Sequence, residues 1–149
     1  MCRSSRTPAC LVVDTREQEP YVFDSLQATV VRRALPAGDY SVAGLEELVA
    51  VERKTLDDFV STVIRSRARF RRELRKLGGY RAACVVVEGN LSDILLGRYG
   101  GGAHPNAVLG SALSIILDHR IPVFFCSNRQ VACRFVQAYL LGAHARWNT

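Results

Sequence analysis

Gly38-Asp39-Tyr40 and, after a short gap, Val51-Glu52-Arg53-Lys54-Thr55-Leu56-Asp57-Asp58 are the stretch around which the chain is organised. In an extended strand, side chains two apart share a face. Glu52 and Lys54 therefore point together, while Arg53 points away. Tyr40-Ser41-Val42 and Val49-Ala50-Val51 have strand-like composition on either side of a turn at residues 43–47, which predicts a paired hairpin carrying Asp39 to Glu52. The second strand is apolar up to Val51, so charges at its end sit where an ionised group requires a reason.

The chemistry of those residue types supplies the reason. Gathered carboxylates repel one another and hold their protons unless a divalent cation lies among them. Oxygen-only ligands of this kind suit Mg²⁺ or Mn²⁺. Such an ion lowers the pKa of a bound water and stabilises the charge that builds on an attacked phosphate. Lys54 adds a compact positive charge, worth on the order of 4 kcal/mol at ~4 Å and an effective dielectric of ~20, before desolvation. An isolated E-x-K is common on solvated strands. Here Gly-Asp lies at hairpin distance and an apolar run precedes the acid, so Asp39, Glu52 and Lys54 read as a metal-dependent phosphodiesterase centre, with Asp39 and Glu52 as ligands.

These residues also carry a family resemblance. Gly38-Asp39, Glu52-Arg53-Lys54 and Asp58 resemble the G-D…E-R-K-x-x-x-D signature of XPF/Hef-type structure-specific endonucleases. Val12-Val13-Asp14-Thr15-Arg16-Glu17 is similar to the family's V-D-[ST]-R-E opening, and His104-Pro105-Asn106-Ala107 to a segment that starts a late helix. The similarity spans about residues 10–142. It implies an α/β, restriction-endonuclease-like fold with a central mixed sheet flanked by helices. It also implies a Mg²⁺ or Mn²⁺ cofactor, branched flap or fork DNA as substrate, and pairing into a homodimer, or with a partner subunit, through the C-terminal helices. By the same resemblance Asp14 joins the active centre as a further metal ligand, Asp58 supports it, and Arg53 orients a carboxylate or phosphate. Ser66-Arg67 stands where the family usually has Gly-Arg.

Charge is concentrated rather than spread. Residues 65–76 contain seven basic residues against Glu73 alone, which equals the entire net charge of +6. A polyanionic partner is expected. Phe70, Leu74 and Leu77 recur at helical spacing and predict a helix that turns Arg69, Arg71, Arg72, Arg75 and Lys76 outward. With Arg16 and Arg67 these are the candidate DNA contacts. Thr55-Leu56-Asp57-Asp58 has capping-box spacing, so a helix should begin after Thr55.

The length of 149 residues suits one domain. Residues 1–8 are small, polar and basic, and are expected to be disordered; residues 9–149 form the nuclease domain. Cys10-Leu11-Val12-Val13 and Ala82-Ala83-Cys84-Val85-Val86-Val87 read as strands buried on both faces, with Asp14 and Glu88 at their ends. Glu88 is a secondary candidate for the metal cluster. Ile121–Phe125 is another strand, residues 105–117 and 130–141 are apolar helices, and residues 23–33 form a short helix or an extended connector. About five strands are expected. The five cysteines contain no C-x-x-C pair and suggest neither zinc nor disulfides. Residues 9–13 are too short an apolar run for a signal sequence, and no segment suffices to span a bilayer, so a cytoplasmic location is expected, at the nucleoid in a prokaryote. The chain reaches Thr149 with no helix-hairpin-helix or helicase module, and such a module is expected to be absent or to belong to a partner. Two rival readings are a DNA-binding or dimerisation module with an idle centre, and a sequence-specific restriction-type nuclease.

Overall fold

The computed structural model describes residues 8–148. The expectation for residues 1–8 falls, apart from Pro8, outside them. Six strands form one mixed sheet: β1 (Cys10–Val13), β2 (Thr29–Arg32), β3 (Tyr40–Val42), β4 (Val49–Thr55), β5 (Ala82–Glu88) and β6 (Val123–Phe125). Their spatial order is β2-β1-β3-β4-β5-β6. β3 is antiparallel to both β1 and β4, while β1 with β2, β4 with β5 and β5 with β6 run parallel. The helices are α1 (Leu56–Arg65), α2 (Arg67–Gly78), α3 (Leu91–Leu95), α4 (Pro105–Leu117) and α5 (Arg129–Trp147).

The sheet has a core on each face, and alternation along β4 assigns its residues between them. Val49 and Val51 join Cys84, Val86 and the α5 residues Ala132, Val136 and Leu140 on one side. Ala50, Val85 and Val87 pack on the other against Phe59, Val60 and Val63 of α1, Phe70, Leu74 and Leu77 of α2, and Ile115 of α4. A strand buried on both faces is the reason β5 is an unbroken apolar run.

Two elements differ from expectation. Residues 29–32 form a sixth strand within the segment expected to be a short helix or an extended connector, so its backbone is extended but paired into the sheet. Its β-branched Thr29-Val30-Val31 favours extended backbone, but the strand lies at the sheet edge and three of its four residues are exposed, so no alternating buried face marks it. α5 runs to Trp147, past Leu141, because Ala143 and His144 are still buried and Trp147 stacks against Arg81, whose guanidinium carbon lies 4.7 Å from the ring centre. Among the described residues, no helix is long and apolar enough to cross a membrane.

Candidate active site

Gly38 sets the site's geometry. Its φ of +75° lies in the left-handed region, and a Cβ there would meet the Val51 carbonyl oxygen at 3.0 Å and the Ala50 Cβ at 3.1 Å. Only glycine fits both constraints. This close approach lets the Asp39 amide donate to the Val51 carbonyl at 2.8 Å and the Asp14 amide donate to the Asp39 carbonyl at 2.9 Å, so three neighbouring strands deliver their acidic residues to one edge. The Asp39 carboxylate then accepts from the Arg53 amide at 2.7 Å.

On the face shared with α1 and α2, Asp14, Asp39, Glu52 and Lys54 line one cleft of about 280 Å³. Arg16, Arg69, Glu73 and Lys76 complete its walls. Glu52 is 7% exposed, with Lys54 Nζ 3.3 Å from its Oε1. The ammonium also lies 5.6 Å from the centre of the Phe70 ring. Burial, then the Glu52 charge, pushes the Asp39 carboxyl up to about 8. Burial raises Glu52 to about 7; Lys54 opposes the rise and Glu73 adds to it. Asp14 goes the other way. Burial raises it, but the Leu35 amide, donating at 2.9 Å, and the Arg16 guanidinium, at 2.8 Å, outweigh that and hold it below its ordinary value.

Among the described residues, no three His, Cys, Asp or Glu side chains lie close enough to form a ready-made metal cage. Asp14 has committed both carboxylate oxygens to protein donors. Asp39 and Glu52 have the complementary property: a half-buried and a buried carboxylate that hold their protons well above the ordinary range in the absence of a cation. A pair of carboxylates with the remaining positions left to water is a donor set that suits Mg²⁺.

On the opposite face, Arg53 is enclosed by a separate polar network. Its Nε and Nη2 donate to the two Glu88 carboxylate oxygens at 2.9 and 3.2 Å, and Nη1 lies 3.4 Å from Glu17 Oε2. Tyr21 donates to Glu88 at 2.5 Å, and Tyr40 donates to Glu17 at 2.9 Å. The Arg53 guanidinium also lies 5.0 Å from the centre of the Tyr21 ring. Parallel pairing of Thr55 with Glu88 puts Glu88 on the Arg53 face, away from the cleft.

Residues 13–139 match the model of the ERCC4 domain. The chain belongs to the ERCC4 domain family. It is 34% identical over 126 residues to MJ1505 of Methanocaldococcus jannaschii, provisionally named an ATP-dependent RNA helicase; the match covers 84% of this chain and 14% of that protein. It is 29% identical over 124 residues to the 3'-flap repair endonuclease Xpf of Saccharolobus solfataricus, covering 80% of this chain and 49% of that one. The chain thus spans at most about half the length of these relatives. XPF from Aeropyrum pernix superposes with a TM-score of 0.74 at 23% identity, over 93% of this chain and 67% of that one. The same protein in complex with DNA gives 0.71 at the same identity and coverage. The fold is restriction-endonuclease-like, as in XPF nuclease domains.

In this ERCC4 domain the acids expected from sequence separate into two groups. Asp14, Asp39, Glu52 and Lys54 share the cleft. Asp58 stands apart: its amide donates to the Thr55 hydroxyl at the start of α1, and its side chain faces a recess lined by Asp57, Arg65 and Gly100–Gly102. Arg53 faces away from the cleft and holds Asp39 through its backbone. The basic residues divide as well. Arg16 is paired to Asp14; Arg69 and Lys76 line the cleft; Arg67 and Arg71 face a groove against α4; Arg72 and Arg75 are exposed and line neither. Ser66 has φ −116°, a conformation open to any residue, so serine is tolerated there in place of glycine.

Sequence reading missed two participants. Glu73 passed as the one acid in a basic helix, although it sits four residues after Arg69 and three before Lys76, on their stripe of the helix. Glu17 stood next to Asp14 in the opening motif and carried a signal, but its partners Arg53 and Tyr40 lie on other strands. His104 caps α4, its Nδ1 accepting from the Asn106 amide at 3.1 Å, in keeping with a turn residue.

Proposed function

We propose that this ERCC4 domain is a Mg²⁺- or Mn²⁺-dependent endonuclease acting on branched DNA, and that it cuts near the junction of duplex and single strand. The observation that carries the reading is the convergence of a buried and a half-buried carboxylate, both proton-retaining, and an ammonium on one cleft walled largely by basic side chains. Asp39 and Glu52 would hold the cation, with Asp14 behind them as an outer acid that fixes Arg16 and the Leu35 backbone. When bound, the metal supplies an activated water and charge stabilisation at the phosphate. Lys54, held beside Glu52 and against Phe70, presents positive charge to the scissile phosphate. Arg16, Arg69 and Lys76 attract and align the DNA backbone at the mouth of the cleft.

Pairing with a second chain through the C-terminal helices is supported by exposed apolar side chains on α4 and α5: Leu113, Ile116, Leu117 and Val131. Light scattering of the purified chain tests self-pairing; a monomer at all concentrations would overturn the homodimer and leave pairing to a different subunit.

The deciding experiment incubates the protein with end-labelled flap, fork, four-way and linear DNA in Mg²⁺, Mn²⁺ or EDTA. Cutting is expected on flap or fork, requires the metal, and is abolished in Glu52→Gln with DNA affinity retained. Binding with no cutting in any metal would instead identify a DNA-binding module. Dependence on base sequence across one flap geometry would identify a restriction-type enzyme.

A further inference from the structure

Helix α2 carries a second basic face that the cleft does not use. Arg67 and Arg71 stand about 160° round the helix from Arg69 at 3.6 residues per turn. They line a groove between α2 and α4 together with Ser111, Ser114 and His119. Its volume of about 50 Å³ holds a few water-sized groups and no base. No carboxylate lines it, in contrast to the cleft across the helix, where Arg69 faces Glu73 at 3.8 Å. Neither Arg67 nor Arg71 has a salt-bridge partner among the described residues. The two serine hydroxyls already donate to the Ala107 carbonyl at 3.0 Å and the Asp118 carboxylate at 2.8 Å. Donation to a ligand therefore falls to two guanidiniums and one imidazole over an apolar floor, a set that matches the size and charge of a phosphate.

We propose that this groove binds a backbone phosphate of a second DNA strand, so that α2 acts as a ridge dividing the strand in the cleft from one that diverges across the helix. The inference rests on the nuclease reading for the identity of the ligand. It assigns α2 two simultaneous nucleic-acid contacts, one on each side. Linear duplex engages the cleft side, whereas a branched molecule engages both.

The test reads binding in EDTA, so it stands apart from cutting. Fluorescence anisotropy compares a labelled fork with a linear duplex of the same length, for the wild type and for Arg67→Ala/Arg71→Ala, with circular dichroism confirming the fold. Arg67→Lys/Arg71→Lys serves as a second variant that keeps the charge. The alanine pair is expected to weaken fork binding about tenfold and to flatten its log-log salt slope by about 0.7 to 0.9, the share of one phosphate, while changing duplex binding by less than about twofold. The lysine pair should recover most of the salt slope. Equal loss on fork and duplex, or no loss on the fork, overturns the proposal. Failure of the nuclease reading appears separately, as absence of metal-dependent cutting by the wild type.

Discussion

The backbone amide of Arg53 donates to the Asp39 carboxylate at 2.7 Å, so the acid before one strand is seated on the peptide of the next. The same residue sends its guanidinium to the far side of the sheet, where Glu88 and Glu17 hold it. The position of Asp39 relative to Glu52 and Lys54 is therefore fixed by a residue that never enters the cleft. A shift of β4 would displace all three cleft groups together.

Gly38→Ala tests the close approach that builds the site. Its φ of +75° and the 3.0 Å approach to the Val51 carbonyl predict a loss of about 1–3 kcal/mol of stability. Urea unfolding reads the loss. Because the Asp39 amide would be pushed off Val51, cutting should fall further than stability alone explains.

Metal-free stability should fall as pH rises. Asp39 and Glu52 have carboxyls raised above their ordinary values, so the folded chain binds protons more tightly than the unfolded one. Their contribution is fully present below about pH 4 and is lost by about pH 8. Thermal melts in EDTA at about pH 5 and about pH 8 should show this decline, and Mn²⁺ should restore stability most at the higher pH. Glu73→Gln removes a like charge that raises Glu52, and should move the decline to lower pH. Melts that stay level from pH 5 to 8 would separate the two carboxyls from any cation-dependent role.

Arg53→Lys keeps the charge and loses the two-pronged contact with Glu88. The pair is nearly buried, with side-chain exposures of 13% and 8%. A loss of about 2–4 kcal/mol is expected in urea unfolding. Glu88→Gln retains part of the hydrogen bonding and should lose less.

DNA binding should weaken steeply with salt, with a log-log slope of about −4 if roughly five phosphates are neutralised and single strands contribute. Replacing exposed Arg72 and Arg75 with Ala should flatten it by about 1.5 on every substrate. An unchanged slope would remove the outer face of α2 from the interface.

What the chain discloses before folding is uneven for physical reasons. The shared face of Glu52 and Lys54, and the outward turn of Arg53, follow from the two-residue repeat of a strand and need no tertiary knowledge. The partner of Arg53 does depend on it: Glu88 reaches it only through the parallel register of β4 and β5, which no local pattern encodes. Glu73 belongs to the cleft because α2 crosses the sheet with that face inward, whereas its neighbours advertise only positive charge. β2 was obscure because an edge strand with little burial lacks alternation. Asp58 was placed near the metal by motif spacing, yet the first turn of α1 carries it toward the glycine loop.

The partition of β4 also bears on how such a domain can change over evolutionary time. On β4 the cleft groups Glu52 and Lys54 occupy one side and the mechanical anchor Arg53 the other, so substitutions at positions 52 and 54 spare the contacts of the Arg53 clamp. A descendant altered at those two positions would retain its architecture and outer surface, available for scaffolding.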